Sequence, residues 1–227
     1  TWRKKTAMRL FASFSVGRGS SSVAQNYWNS TIKSFRTLSS FSFAGPRSLD
    51  DILKTELLVG KTAAEISDIW YTYHETKENV HGIILSGNEG KSILERGKEC
   101  PFYVQPVFRD DGFFMLVSQF QDPSHFLLAY LEDYKMDPAR AQPLLTFSVF
   151  SDFVDEHNLT LVRADVVNKG IEDEEGYKVV QNLLHSYHND NEFSTYVHAF
   201  NKTPQDFDID DHISRQNQKW QHPPNEV

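Results

Sequence analysis

The stretch Ser86-Gly87-Asn88-Glu89-Gly90-Lys91-Ser92 follows the apolar run Val80-His81-Gly82-Ile83-Ile84-Leu85 and ends in Gly-Lys-Ser, residue types that in the right frame bind nucleotide phosphates. That chemistry needs the spacing G-x-x-x-x-G-K-[ST], because the residues between the glycines wrap backbone N–H groups around the phosphates while the lysine neutralises them. Here Gly87 and Gly90 enclose only Asn88 and Glu89, and Leu85 stands where the first glycine belongs. Glu89 would also carry negative charge towards the phosphates. The spacing instead predicts a strand broken at Gly87, with Ser86 or Asn88 capping the next helix.

Other clusters also carry chemistry-bearing side chains. Asp206, Asp208 and Asp210 have the spacing that opens a calcium loop, but Asp211 and Asn217 occupy the positions that require glycine and glutamate, so an acidic turn or helix cap is the better reading. His185 and His188 would share one helix face, yet no nearby acid or cysteine pattern completes a zinc signature. Cys100 is the single cysteine, which rules out a disulfide within the chain and agrees with a reducing compartment. Directly before Pro101, it reads as a buried thiol. No catalytic, metal or cofactor set emerges from these residues.

Charge is distributed unevenly along the 227 residues. Eight of the 23 basic residues precede Asp50 and none of the 31 acids does, so the rest of the chain is more acidic than the net −8. Such a body repels nucleic-acid phosphates. No apolar run is long enough to span a membrane, which argues against stable membrane insertion. Residues 1–47, rich in serine and arginine, have the composition of an organellar presequence, and Trp28, Ile32 and Phe35 share a helical face beside Lys33 and Arg36. Arg36-Thr37-Leu38 before Ser39 resembles a mitochondrial processing site.

The elements that must position these residues follow from periodicity. Leu49, Ile52, Leu53 and Leu57 predict a helix running to about Val59 and stopped by Gly60. Thr62 and Glu65 form a capping box before Ile66, Ile69, Trp70 and Tyr73, a second amphipathic helix. Residues 80–86 read as a strand and 88–99 as a helix. Strands are expected over 102–108 and 113–120, joined as a hairpin around Asp111-Gly112, and over 126–132, 144–150 and 159–167, with a short helix over 152–157. Acidic residues 172–175 open a helix striped by Tyr177, Val180, Leu183, Leu184 and Tyr187, and another helix spans 192–200. Residues 214–227 are polar and expected to be a flexible tail. The fold class is α+β: a single domain over residues 48–213 with a mainly antiparallel sheet flanked by amphipathic helices.

Across CPFYVQPVFRDDGFFMLVSQFQ, HFLLAYLEDYK, LTFSVFSDFVDEHNLTLVRADV, VVQNLLHSY and FNKTPQDFD, the chain resembles the mitochondrial assembly factors that chaperone the β subunit of the ATP synthase F(1) sector. The five blocks fall in order over residues 48–213. The resemblance implies a protein of the mitochondrial matrix, not an enzyme and without a cofactor, that binds unassembled F(1) β subunit, keeps it from aggregating and releases it to the α subunit. It transfers no contact residue. Two rival readings stay open: a nucleotide-dependent matrix enzyme using the Gly-Lys-Ser loop, and a permanent accessory subunit of the synthase. Residues 112–117 are apolar on both alternating faces, so their strand must be covered twice, by helices on both sides or by helices and a client. On the second alternative, Phe114, Leu116, Phe120, Phe126 and Tyr130 are the expected partner-facing side chains.

Overall fold

The structure, a computed structural model, describes residue 45 and residues 47–110 and 112–221. The basic segment read as a presequence lies almost wholly outside the described residues, as do residues 222–227.

In place of the expected first helix the chain makes two short 3₁₀ turns, Leu49–Asp51 and Thr55–Leu58. The apolar spacing is helical, but the Asp50 carboxylate accepts from both the backbone N–H and the hydroxyl of Thr55, which closes a local loop and breaks the run. Leu49, Ile52 and Leu58 are buried all the same. Gly60, at φ +79°, then turns the chain.

Helix α1 (Ala63–Glu75) carries the predicted Thr62/Glu65 capping box and leads into strand β1 (Val80–Ser86). Helix α2 (Gly87–Glu99) is capped by Ser86, whose hydroxyl accepts from the Glu89 N–H while Glu89 reaches back to Ser86. Strands β2 (Phe102–Arg109) and β3 (Gly112–Gln121) form the expected hairpin, with Arg109 opposite Gly112. Strand β4 (His125–Tyr130) is shorter than predicted, because residues 131–132 belong to a helix, α3 (Leu131–Met136), that buries Leu131 and Tyr134. Then come β5 (Leu145–Phe150), α4 (Val154–His157), β6 (Leu159–Val166) and α5 (Asp173–His188). The helix expected over 192–200 is a composite: α6 (Asp190–Glu192), a π-helical turn (Phe193–His198) and α7 (Ala199–Lys202).

The chain does not turn loose after Ile213. Helix α8 (Ile209–Gln221) continues through most of the expected tail. Its composition is polar because only a narrow stripe, Ile209, His212 and Gln216, is buried, Ile213 and Trp220 pack half-buried against the core, and the rest of its attachment is by ion pairs and hydrogen bonds. Arg215 and Lys219 both pair with Glu192, itself 1% exposed, and Tyr196 donates to Asp211 at 2.6 Å. A hydropathy pattern cannot register that kind of docking.

All six strands join one antiparallel sheet in the order β1-β6-β5-β4-β3-β2. One face packs against α2, α5 and the π-helical turn through Phe126, Phe147, Tyr103, Tyr187 and Leu183. On the other, α1 covers the β1–β6–β5 half, where Trp70 meets Phe150 and Leu161 in a smaller core. The antiparallel α+β architecture is as the sequence predicts. No helix among the described residues is long and apolar enough to cross a membrane.

Candidate functional site

The Gly-Lys-Ser stretch is the first turn of α2, and its glycines serve packing. A Cβ on Gly90 would come within 2.0 Å of the Thr160 hydroxyl on β6, and one on Gly87 within 2.7 Å of the Asn158 side chain. Lys91 points away to pair with Asp155 at 3.1 Å, beside Leu94, Glu95 and Ser151 in a shallow open depression. A strand, a turn and a helix are present, but the turn is filled by protein and the lysine is answered by a carboxylate. Glu89 is held below its ordinary pKa: burial alone would raise it, but hydrogen bonds from Ser86 lower it. The helix N-terminus thus already has its anion.

The remaining clusters resolve in the same direction. Asp208 accepts from the N–H groups of Asp210 and Asp211 at 3.0 Å each, which makes the acidic run a cap of α8. His185 and His188 stack edge to face at 5.2 Å, with His188 3.7 Å from Glu89. Among the described residues, no group of three His, Cys, Asp or Glu side chains could hold a metal ion. Cys100 is buried, and that burial pushes its thiol up to about 11, far from the thiolate a nucleophile needs.

The five side chains expected to face a partner divide. Leu116, Phe120 and Phe126 are buried in the main core, where Phe126 stacks on Phe147 at 4.5 Å. They cannot meet a partner in this structure. Phe114 and Tyr130 keep part of their surface and lie edge to face at 5.3 Å. Around them Arg109 sits 5.0 Å above the Phe114 ring and pairs with Glu175, while the Tyr130 hydroxyl donates to the Gly170 carbonyl at 2.8 Å. Burial would raise Glu175, but the Arg109 hydrogen bonds bring it below its ordinary pKa. The double coverage of β3 is therefore largely internal, with one aromatic and ionic corner reaching the surface.

What sequence reasoning missed lies at the rims of the sheet. The bond from Phe120 N–H to the Pro101 carbonyl fixes the phase of the β2–β3 ladder and turns the backbone groups of Phe102, Val104, Pro106 and Phe108 outward. Asn201 closes both groups of Phe102: its carbonyl accepts the N–H at 3.2 Å and its amide donates to the C=O at 2.6 Å. His212 Nε2 lies 3.1 Å from the Val104 carbonyl, and Pro106 has no N–H to offer. The block FNKTPQDFD, with its Asn201 and the buried Phe200 and Phe207, is thus the guard of this edge. Its signal in the sequence was an asparagine beside aromatic residues, which has meaning only once β2 is known to be an edge.

The opposite rim differs. Bonds from Val166 N–H to the Asn79 carbonyl and from Gly87 N–H to the Asn158 carbonyl set the phase of the β1–β6 ladder, so Val80, Gly82 and Ile84 direct their N–H and C=O groups away from the sheet. Among the described residues nothing bonds them. Every residue of β1 is partly exposed.

Comparison with known proteins gives a consistent picture. The family model described as ATP11 protein matches residues 20–213. Curated relatives named ATP synthase mitochondrial F1 complex assembly factor 1 are 24% identical over 166 residues in Mus musculus, 21% over 167 in Danio rerio and 24% over 167 in Homo sapiens, each over 73% of this chain. The alignments cover 51%, 54% and 50% of those proteins, so the chain spans about half the length of the curated relatives it matches. With the family match running through every strand of the sheet and into the first turn of α8, the chain belongs to the ATP11 protein family.

Proposed function

We propose that this chain is an assembly factor for the F1 sector of mitochondrial ATP synthase, which acts in the matrix by holding the unassembled β subunit until the α subunit displaces it. The observation that carries this reading is the family match over residues 20–213, together with relatives named as F1 complex assembly factors. A ring subunit that lacks its neighbour exposes a large apolar interface that drives aggregation. A partner that covers it with moderate affinity stabilises the soluble state by mass action and can be displaced. No ATP enters this scheme, which fits a Gly-Lys-Ser turn filled by Thr160, Asn158 and the Lys91–Asp155 pair.

The decisive experiment mixes the purified chain with unassembled F1 β subunit, with and without Mg-ATP, and follows β aggregation and its release on adding α. Equal protection with and without nucleotide, followed by transfer of β to α, is the expected outcome. Protection that requires ATP would favour the enzyme reading, and stoichiometric recovery with the mature synthase the accessory-subunit reading. Phe114→Asp addresses the exposed corner: a folded variant that no longer protects β makes that corner a client contact.

Import also belongs to this proposal. The acid-free segment before Asp50 would direct the chain to mitochondria, with cleavage leaving Ser39 first. The family match begins at residue 20, within that segment. N-terminal sequencing of the imported protein decides the matter: a start before residue 20 would keep the whole family-matched span in the mature protein.

A further inference from the structure

We infer that the open rim of β1 is a docking edge, and that it takes an extended segment of the client polypeptide as a seventh strand; this rests on the client-holding reading above. The chemistry of the rim selects the occupant. Val80, Gly82 and Ile84 present N–H donors and C=O acceptors in strand phase along about 13 Å, and only another extended backbone answers that pattern in full. The strand contains no proline, lysine, glutamate or aspartate, the residues by which exposed edges are usually blunted. The other edge of the same sheet is closed over Phe102 and the Val104 carbonyl by Asn201 and His212, and Pro106 removes one donor further along.

The rim is also preorganised. Helix α1 lies directly over the strand, so near that a Cβ on Gly82 would sit 2.7 Å from His74 Nδ1 and 2.9 Å from Trp70 Nε1. On the opposite face His81 is tied to Asp173 at 2.8 Å and packs against the tilted Tyr177 ring at 4.8 Å. The strand is thus clamped from both faces while its backbone stays open to the side, and a partner strand pays little ordering cost on this half of the contact. Glu78 stands two residues before the strand and Asp173 holds His81, with Lys77 drawn over the Tyr73 ring at 4.0 Å. An antiparallel second copy would bring the Glu78 end of one β1 to the Glu89 end of the other on a chain of net charge −8, which opposes self-pairing. The fitting occupant is a client segment that is apolar at alternate positions and free of acidic residues.

Amide hydrogen exchange on the wild-type chain, alone and with unassembled F1 β subunit, tests this. Expected is a slowing of at least about tenfold at Val80, Gly82 and Ile84 on adding β, with the amides of β2 unchanged. Val80→Pro removes one outward donor at the first residue of the strand and none of the bonds to β6, and should weaken β binding at least about tenfold; Val80→Ala, which keeps the N–H, should bind within about threefold of wild type. A complex in which those three amides exchange as before overturns the inference and leaves the client reading standing, as does a folded Val80→Pro variant with wild-type affinity. No binding of β by the wild-type chain overturns the client reading and this inference with it. Protection of the same amides without β, together with a dimer in light scattering, would make the occupant a second copy and overturn the inference as stated. Should Val80→Pro fail to fold, the exchange measured on the wild type decides alone.

Discussion

The two edges of this sheet solve the same problem in opposite ways. Each presents a row of outward N–H and C=O groups, which pair with any available strand unless they are covered or broken. At β2 the groups meet Asn201 and His212, Pro106 deletes one donor, and α8 is bound alongside through Glu192, Arg215 and Lys219. At β1 a helix covers one face of the strand and His81 with Tyr177 the other, but among the described residues nothing bonds the rim itself. A fold that needed both edges silent could have used the same devices twice. The asymmetry teaches that edge protection is local and built from particular side chains.

The largest effect is expected beneath the open edge. Trp70 is fully buried between β1 and Phe150, and Trp70→Ala should cost about 3–5 kcal/mol, read as a lower denaturation midpoint at unchanged slope. If the midpoint held, the clamp on β1 would not be the source of its order.

At the closed edge, Asn201→Ala leaves the N–H and C=O of Phe102 without their side-chain partner, and a loss of about 1–3 kcal/mol should follow. The amides of β2 should then exchange faster than those of the inner strands. A neutral result would mean that water serves this rim as well as Asn201 does, and the contrast between the edges would weaken.

The closed edge should also carry a pH dependence. Burial lowers His212 from 6.5 to about 4, and it lowers His125 to about 4 as well. A histidine whose folded pKa is depressed is neutral when folded while the unfolded chain already binds a proton, so the native state has its full stability above about 6.5 and loses it as pH falls towards about 4. Thermal melts between pH 7 and pH 4 should therefore show a falling Tm. His212→Asn should lower Tm at pH 7 yet flatten that slope. A slope unchanged by the substitution would assign the dependence to other groups.

The smallest effect is expected at the loop that looked most like chemistry. Lys91→Ala removes only an exposed pair with Asp155, and stability should change by less than about 0.5 kcal/mol with client protection intact. Loss of protection at normal Tm would reopen the phosphate reading.

Much of this architecture could be read in the residues before any coordinates. The capping box at Thr62 and Glu65, the Ser86 cap, the β2–β3 hairpin and the stripe on α5 are local, and sequence separations of about three or four residues or a tight turn carry them. The short G-x-x-G spacing alone argued against a phosphate loop. Local signals misled where nonlocal bonding decided: the helical spacing after Ser48 is broken by the Asp50–Thr55 bonds, and a polar tail becomes α8 because Glu192, distant in sequence, meets Arg215 and Lys219. Nor could alternation show which of Phe114, Leu116, Phe120, Phe126 and Tyr130 reach the surface. They share one sheet face, and only the placement of α2, α5 and the π-helical turn over part of that face buries three of them.

What the sequence by itself determined is the set of strands and helices and the order of their blocks, because those depend on near neighbours and on the period of apolar residues. Strand order, and with it the identity of the edges, was decided by the tertiary structure alone. An edge is defined by the neighbour a strand lacks, and no residue of VHGIILS records that β6 lies on one side of it and nothing among the described residues on the other.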